Sequence, residues 1–581
     1  MTKISFAMSK IFDLLSPRQG SRSDSLQPRP KARWLFQIAP LLLGLVLSSS
    51  SHAQLDSRSS AGLSSITERS LRATLTFLAS DELEGRETTY RGQKLAALYI
   101  SSYFQQLGLK PIGDSGTYLQ HFNVEVTRPG KNLSIAVKRA SGETETYDKL
   151  TTQFLVFPRG LKSSSVSGSL AFVGYGISSP DTEYNYNDYE NIDVKGKIVL
   201  MMGYEPQEKD SMSIFNGIQQ TKFSFSGGRG LQLKERIAHE HGAAGILYMP
   251  EVGDHPTVAA LARFLGDFLS KGTMALPDSG SQQSPSLPVF IITKAVANEL
   301  LQPSGKTIDE LHAKIDEKLK PASFDVPGTA VTLNLDLKKE LVQTENAVGF
   351  LEGSDPVLKK EVLVFTAHYD HLGIGSDGAI YHGADDDGSG TTAVLEIAKA
   401  FAANPERPKR SILFMTVTGE EKGLLGSLYY TNHPIIPLEE TVADLNTDMI
   451  GRVDPNHEGS PDSSHYVYVI GADKLSPELR ATLERANRET VNFNLDYKYD
   501  DPNDPEQFYR RSDHFNFARK GIPIAFFFSG VHKDYHRPTD TVEKINFDKM
   551  ANTIRLIYMT GWDVANAPHR PIISGNAEMY R

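Results

Sequence analysis

Residues 361–390 read EVLVFTAHYDHLGIGSDGAIYHGADDDGSG. The run from Val362 to Ala367 is apolar and β-branched with polar residues on either side, the pattern of a strand buried on both faces. His368 and Asp370 follow its end, and after a loop comes the triplet Asp385, Asp386 and Asp387. From Gly388 to Ala402, Val394, Ile397, Ala398 and Phe401 recur at helical spacing. Imidazole and carboxylate groups therefore gather at the carboxyl end of a strand and beside a helix N-terminus. In open α/β sheets ligands bind there, and the stretch reads as half of a metal site.

The surrounding pattern supports such a sheet. From Val331 onward strands alternate with helices, with strand candidates Ala347 to Leu351, Val362 to Ala367, Ser411 to Thr418, Val442 to Thr447, Tyr466 to Ile470 and Ile522 to Phe528. This predicts an α/β fold with a mostly parallel sheet flanked by helices. The strongest polar groups each follow a strand: His368, then Gly419-Glu420-Glu421, then Asp448, then a Gly-containing loop ending in Tyr535-His536. With Asp386 the inventory is two His, two Asp and two Glu on one sheet edge. Two divalent ions need about three or four ligands each, and a carboxylate can bridge them because it has two oxygens. Five residues would hold the ions and the sixth would be free to act as a base. Asp370, two residues from His368, suits the other ring N–H. Taken singly, His368 could be a hydrogen-bonded strand end, the Asp triplet a helix cap and Glu420-Glu421 a solvated loop. The convergence is what carries the reading.

The rest of the 581 residues frames it. That length exceeds a single hydrophobic core, and 39% hydrophobic with 23% charged residues is an ordinary globular composition. The absence of cysteine excludes disulfides, thiolate zinc sites and a cysteine nucleophile. Lys31 and Arg33 precede an apolar run from Trp34 to Leu47, and Ser51-His52-Ala53 offers a signal-peptidase site. Residues 1–53 are thus expected to be a secretory signal, the run being short for a membrane span. That implies export to the periplasm or medium and no stable membrane association afterwards. Residues 1–53 hold seven Lys/Arg and two Asp/Glu, so the remainder carries 54 basic and 69 acidic residues, a formal charge of −15. Such a charge opposes general binding to nucleic acid or anionic lipid.

Helices are expected over Ser65 to Leu78 and Gly92 to Leu107. Ala79 to Arg86 between them reads, taken by itself, as a solvated loop, and a strand-like stretch runs from about Phe122 to Val137. Short β-like runs follow (Leu170 to Val173, Ile198 to Met202, Val289 to Thr293), with a helical Lys234 to Glu240 and a polar surface loop from Pro277 to Pro288. The segments GKIVL, GAAGIL and LPVFIIT resemble a protease-associated domain. The expected division is 54–150, an N-terminal part of the main domain; 151–326, the inserted β-rich module; and 327–581, the catalytic part.

The motifs HYD, GADDDGSG, TGEEKGLLGS, LNTDMIGR and YHRPTDT, in this order, resemble peptidase family M28, the co-catalytic zinc peptidases that include secreted bacterial aminopeptidases. ASDELEGRE and RSDHFNFARKGIP fit the same family. Residue by residue, the resemblance implies that His368 and Asp448 hold one zinc, Glu421 and His536 the other, and Asp386 bridges. Within the triplet it selects the second residue after Gly383-Ala384. It implies Glu420 as the base that deprotonates a metal-bridging water, and peptide substrates. His371, His382, His514 and Lys422 have no role in that scheme. The function expected is an aminopeptidase. The alternatives are a carboxypeptidase, for which Arg510, Arg511 and Arg537 could bind an α-carboxylate, a glutaminyl cyclase, and a non-catalytic peptide-binding protein. No Gly-x-Ser-x-Gly elbow supports a serine hydrolase.

Overall fold

The computed structural model describes residues 59–574 apart from 157–160, 180–184, 208–212, 215–222, 224–228, 254, 265, 278–286, 461 and 503. The expected signal segment and most of the expected surface loop at 277–288 fall outside these residues. Seven strands form the body of the main sheet: β1 (Leu119–Pro129), β2 (Leu337–Leu351), β3 (Val362–His368), β4 (Ser411–Val417), β5 (Thr441–Thr447), β6 (Tyr466–Ile470) and β7 (Ile524–Phe528). Their order is β1-β2-β4-β3-β5-β7-β6, with short strands Thr273–Ala275 and Asn494–Asp496 at the two edges. The four central strands run parallel, and antiparallel pairings flank them. The sheet is therefore mixed, with its parallel portion where the expected strands lie.

Register decides what this portion presents. Val362 pairs with Ser411 and His368 with Val417, while Thr366 pairs with Asn446 and Thr447 with Phe527. Parallel strands in such register end side by side, so the residues that follow them emerge on one edge. The period-two alternation sorts β3 between two cores. Leu363, Phe365 and Ala367 pack with helices α1 (Glu68–Leu78), α2 (Arg91–Gln106), α3 (Gly390–Ala403) and α4 (Phe547–Asn566), whereas Val362 and Val364 join Leu413, Met415, Tyr430 and Phe517 on the other face. The fit under α4 is close. A Cβ on Gly561 would lie 2.3 Å from the ring of Phe365, so only glycine allows the helix this near the strand.

A second sheet of eight strands, from Ser134–Arg139 to Phe324–Leu335, lies between β1 and β2 in the chain. It is wider than the expected 151–326 segment, because residues 134–147 and Phe324–Leu335 pair within it. The expected strand around 122–137 divides at Gly130, whose N–H donates to Asp336 O at 2.8 Å where the chain crosses between sheets. The inserted unit also reaches back. Thr273–Ala275 pairs antiparallel with Glu125 to Thr127 of β1, and Lys271 Nζ lies 2.6 Å from Glu87 and 3.1 Å from Leu372 O. Among the described residues no helix is long and apolar enough to cross a membrane.

Candidate metal centre

All six expected groups meet at the carboxyl edge of the parallel strands. His368 closes β3, Glu420 and Glu421 follow β4, Asp448 follows β5, and His536 comes from the loop after β7. Asp386 lies in the segment Ala384–Ser389 that leads into α3, and its peptide bond to Asp387 is cis. Met449 (φ 57°) and His536 (φ 55°) adopt the left-handed region, which non-glycine residues occupy mainly where surroundings impose it. His368, Asp386 and Glu420 are fully buried.

The donors divide into two sets around Asp386. Its Oδ1 is 3.2 Å from His368 Nε2, which is also 3.6 Å from Asp448 Oδ1. Its Oδ2 is 3.1 Å from His536 Nε2, which in turn is 3.3 Å from Glu421 Oε2. One carboxylate thus presents one oxygen to each histidine. The neighbouring aspartates point elsewhere. Asp385 accepts from Gly451 N at 2.6 Å and lies 3.2 Å from His532 Nε2. Asp387 accepts from the main-chain N–H groups of His368, Gly390 and Met449. Glu420 Oε2 is 3.6 Å from His368 Nε2, beside the first set.

Further groups hold this frame. Asp540 Oδ2 accepts from the N–H of both Asp385 and Asp386, at 3.0 and 3.2 Å. The expected partner of the His368 ring takes a different form. Nδ1 meets the main-chain carbonyl of Asp370 at 3.0 Å, while the Asp370 carboxylate is 3.7 Å away and accepts instead from Thr88 Oγ1 and Glu420 N. Ala79 to Arg86 corrects the solvated-loop expectation. Left-handed backbone at Glu84, Gly85 and Arg86 turns the guanidinium inward, where it is buried and donates to the carbonyls of Leu78, Tyr369, His382 and Gly383. Arg86 thereby ties the loop after β3 to the loop before the Asp triplet. His371, without a role in the expected scheme, has Nδ1 3.1 Å from Glu421 Oε1. Its only sequence signal was its place three residues after His368. Of the other two histidines without a role, His514 stacks on Phe526 and His382 pairs with Asp81.

The donor set fits cations on two counts. His368 Nε2, His536 Nε2 and both Asp386 oxygens are buried without a hydrogen bond, which is costly unless another partner completes them. Two triads, His368–Asp386–Asp448 and His371–Asp386–Glu421, each bring one donor atom per residue within 4.8 Å of one another. The field agrees. Burial lowers the affinity of His536 for a proton, but Glu421 and Asp386 outweigh it and raise its pKa to about 9. Burial pushes Asp386 up, yet His368 and His536 hold it well below the usual carboxylate range. A site that charges its imidazoles this way favours positive charge, and imidazole with carboxylate is a zinc-compatible mixture.

Residues 346–560 match peptidase family M28. The chain carries an M28 peptidase domain. A probable zinc metalloprotease of Pyrenophora teres f. teres is 28% identical over 272 residues, covering 40% of this chain and 53% of that protein. A glutamate carboxypeptidase 2 homolog of Caenorhabditis briggsae is 26% identical over 314 residues, covering 48% of this chain and 39% of that one. The chain spans about half the length of these curated relatives. Among solved structures, an aminopeptidase from Aneurinibacillus sp. strain AM-1 shares the fold, with a TM-score of 0.51 and 17% identity over 89% of this chain and 98% of that one.

Beside Asp448 the M28 domain has a small recess lined by Met449, Phe508, Phe526, Phe528 and Val531, together with Arg511 and Tyr535. Arg511 is buried, donates to Glu506 at 3.2 Å and stacks over Phe508, whereas Arg510 and Arg537 are exposed. Lys422, next to Glu421, is 2.8 Å from Glu87, the residue that Lys271 of the inserted unit also reaches.

Proposed function

We propose that this protein is a two-zinc metallo-exopeptidase that removes residues from the N-terminus of peptides, and that it acts after export. The observation that carries the reading is Asp386, whose two oxygens face His368 and His536 separately at 3.2 and 3.1 Å. His368 and Asp448 would hold one ion, Glu421 and His536 the other, with Asp386 shared. Two zinc ions so held supply a polarised scissile carbonyl and a water of lowered pKa. Glu420, buried beside His368 and outside the ligand set, takes the proton of the attacking water and returns it to the leaving amine. The acidic residues around the centre suit a free α-ammonium group, and the recess beside Asp448 is lined mainly by apolar side chains. The protease-associated character of the inserted unit belongs to the same proposal.

One observation favours the carboxypeptidase alternative, namely that Arg511 lines the recess beside Asp448. The non-catalytic alternative loses ground because every expected ligand and Glu420 is present. Mass spectrometry of a defined peptide mixture, incubated with the zinc-loaded protein and with a chelated control, separates these readings. Ladders shortened from the N-terminus and abolished by chelation are expected. Ladders from the C-terminus overturn the specificity, loss of ammonia from N-terminal Gln points to a cyclase, and unchanged peptides overturn the enzyme reading.

A further inference from the structure

The second donor set contains two histidines where its counterpart contains one, and they address different atoms of one carboxylate. His536 Nε2 is 3.3 Å from Glu421 Oε2, and His371 Nδ1 is 3.1 Å from Glu421 Oε1. We propose that His371 is a positioning residue for the second cation site, donating its Nδ1–H to Oε1 of Glu421 so that Oε2 alone faces the ion. This rests on the two-zinc reading above.

Distances separate this role from that of a fourth ligand. Donors that share a tetrahedral zinc at 2.0–2.1 Å stand about 3.3 Å from one another. The contacts of His536 with Asp386 and Glu421, 3.1 and 3.3 Å, meet that spacing. His371 Nδ1 lies within 4.8 Å of donor atoms of Asp386 and Glu421, but its 4.0 Å from Asp386 Oδ2 is too long for the two to share such an ion, and its 3.1 Å contact with Glu421 Oε1 is a hydrogen bond. The tautomer follows from burial. His371 Nε2 is buried without a hydrogen-bond partner, so a proton there would be an orphaned donor, whereas a proton on Nδ1 has Glu421 to meet.

The ring is also held in place. The main-chain N–H of His371 donates to Arg86 O at 3.1 Å, and a Cβ on Gly383 would come to 2.5 Å from the imidazole. The first site uses the same device with a weaker donor. Ser512 Oγ donates to Asp448 Oδ2 at 2.8 Å, and Asp448 Oδ1 faces His368. In each half one carboxylate oxygen is occupied by a neighbour and the other is aimed at the site. Outer partners of this kind set metal affinity through the orientation of the ligand.

The test is a titration of the metal-stripped full-length protein with Zn2+ against a competing chelator, read as number of ions and affinity of each. The wild type should bind two ions and His536→Ala one. His371→Phe, which keeps a ring but no donor, should bind both, the second about 10–100-fold more weakly and the first unchanged. His371→Gln, whose amide can donate, should recover part of the loss, which a purely structural role would not predict. With Co2+, His371→Phe should leave the visible absorption bands of the bound ion in place. Unchanged affinity in His371→Phe overturns the proposal, and so does an equal loss at both sites. Altered cobalt bands overturn it in favour of a fourth ligand. A wild type that binds fewer than two ions overturns the two-zinc reading itself, a result distinct from any of these.

Discussion

Among the described residues two sheets carry parallel strands at their centres, and they treat buried charge in opposite ways. In the inserted sheet every buried carboxylate and ammonium among the described residues is answered. Asp188 accepts from Tyr175 N, Ile177 N and Tyr186 OH, Glu205 accepts from Ser213, and Lys234 donates to the carbonyls of Met202 and Tyr204. At the carboxyl ends of its strands, Glu251 accepts from Val258 N and Lys294 N, both at 2.7 Å. At the same ends of the M28 sheet, His368, Asp386 and His536 keep buried donor atoms without hydrogen bonds. Parallel strands alone therefore do not make a site. What distinguishes the M28 edge is polar groups gathered and then left incomplete toward one another, a condition that a bound cation relieves.

Substitutions can break or sharpen that contrast. The largest effect is expected from Glu420→Gln, which should keep its zinc and lose about 10²–10⁴-fold in turnover; metal analysis beside peptide kinetics checks it, and retained turnover would remove Glu420 as the base. Arg86→Met withdraws one buried cation from four carbonyls and should cost about 3–5 kcal/mol, read as a drop in the denaturant midpoint. A loss much below 1 kcal/mol would mean the loops hold each other without it.

Lys549 tests the M28 side through pH. Burial lowers its pKa to about 7, against the raising effect of Asp385 and Asp454. The unfolded chain, with a lysine pKa near 10.5, binds the additional proton between about pH 7 and 10.5. Stability should therefore rise with pH across that window, by up to about 1.4 kcal/mol per pH unit, while the cost of the buried charge persists in full below pH 7. Subtracting the melting curves of Lys549→Met from those of the wild type isolates the slope, and parallel curves would contradict the burial argument. The smallest effect belongs to the inserted sheet. Glu251→Gln weakens two main-chain contacts and should cost about 1–2 kcal/mol with turnover unchanged. A change in turnover there would show that the two sheets are coupled, the route being the contact of Lys271 with Glu87 and Leu372.

Legibility followed the range of the interactions. Strands β3, β4 and β5 were readable because burial on both faces makes them continuous apolar runs, and a polar group after each marked the edge. The split of 122–137 was not readable, since β1 pairs with β2, more than 200 residues on, and Ser134–Arg139 pairs with Thr329 to Asn334. Arg86 looked solvated because its four carbonyl partners come from segments as far as Gly383. His371 carried no signal beyond proximity, as its partner Glu421 lies 50 residues away.

The kinds of donor at the centre and their order along the chain were settled in the sequence, because in-register parallel strands bring whatever follows them to one edge. Only the tertiary structure decided which atom meets which. Asp385, Asp386 and Asp387 are chemically identical neighbours, yet one faces Gly451 and His532, one faces two histidines and one caps the main chain. Direction depends on partners such as Asp540, Ser512 and Arg86. Those partners arrive from other elements once the chain has packed, and so local sequence could not carry it.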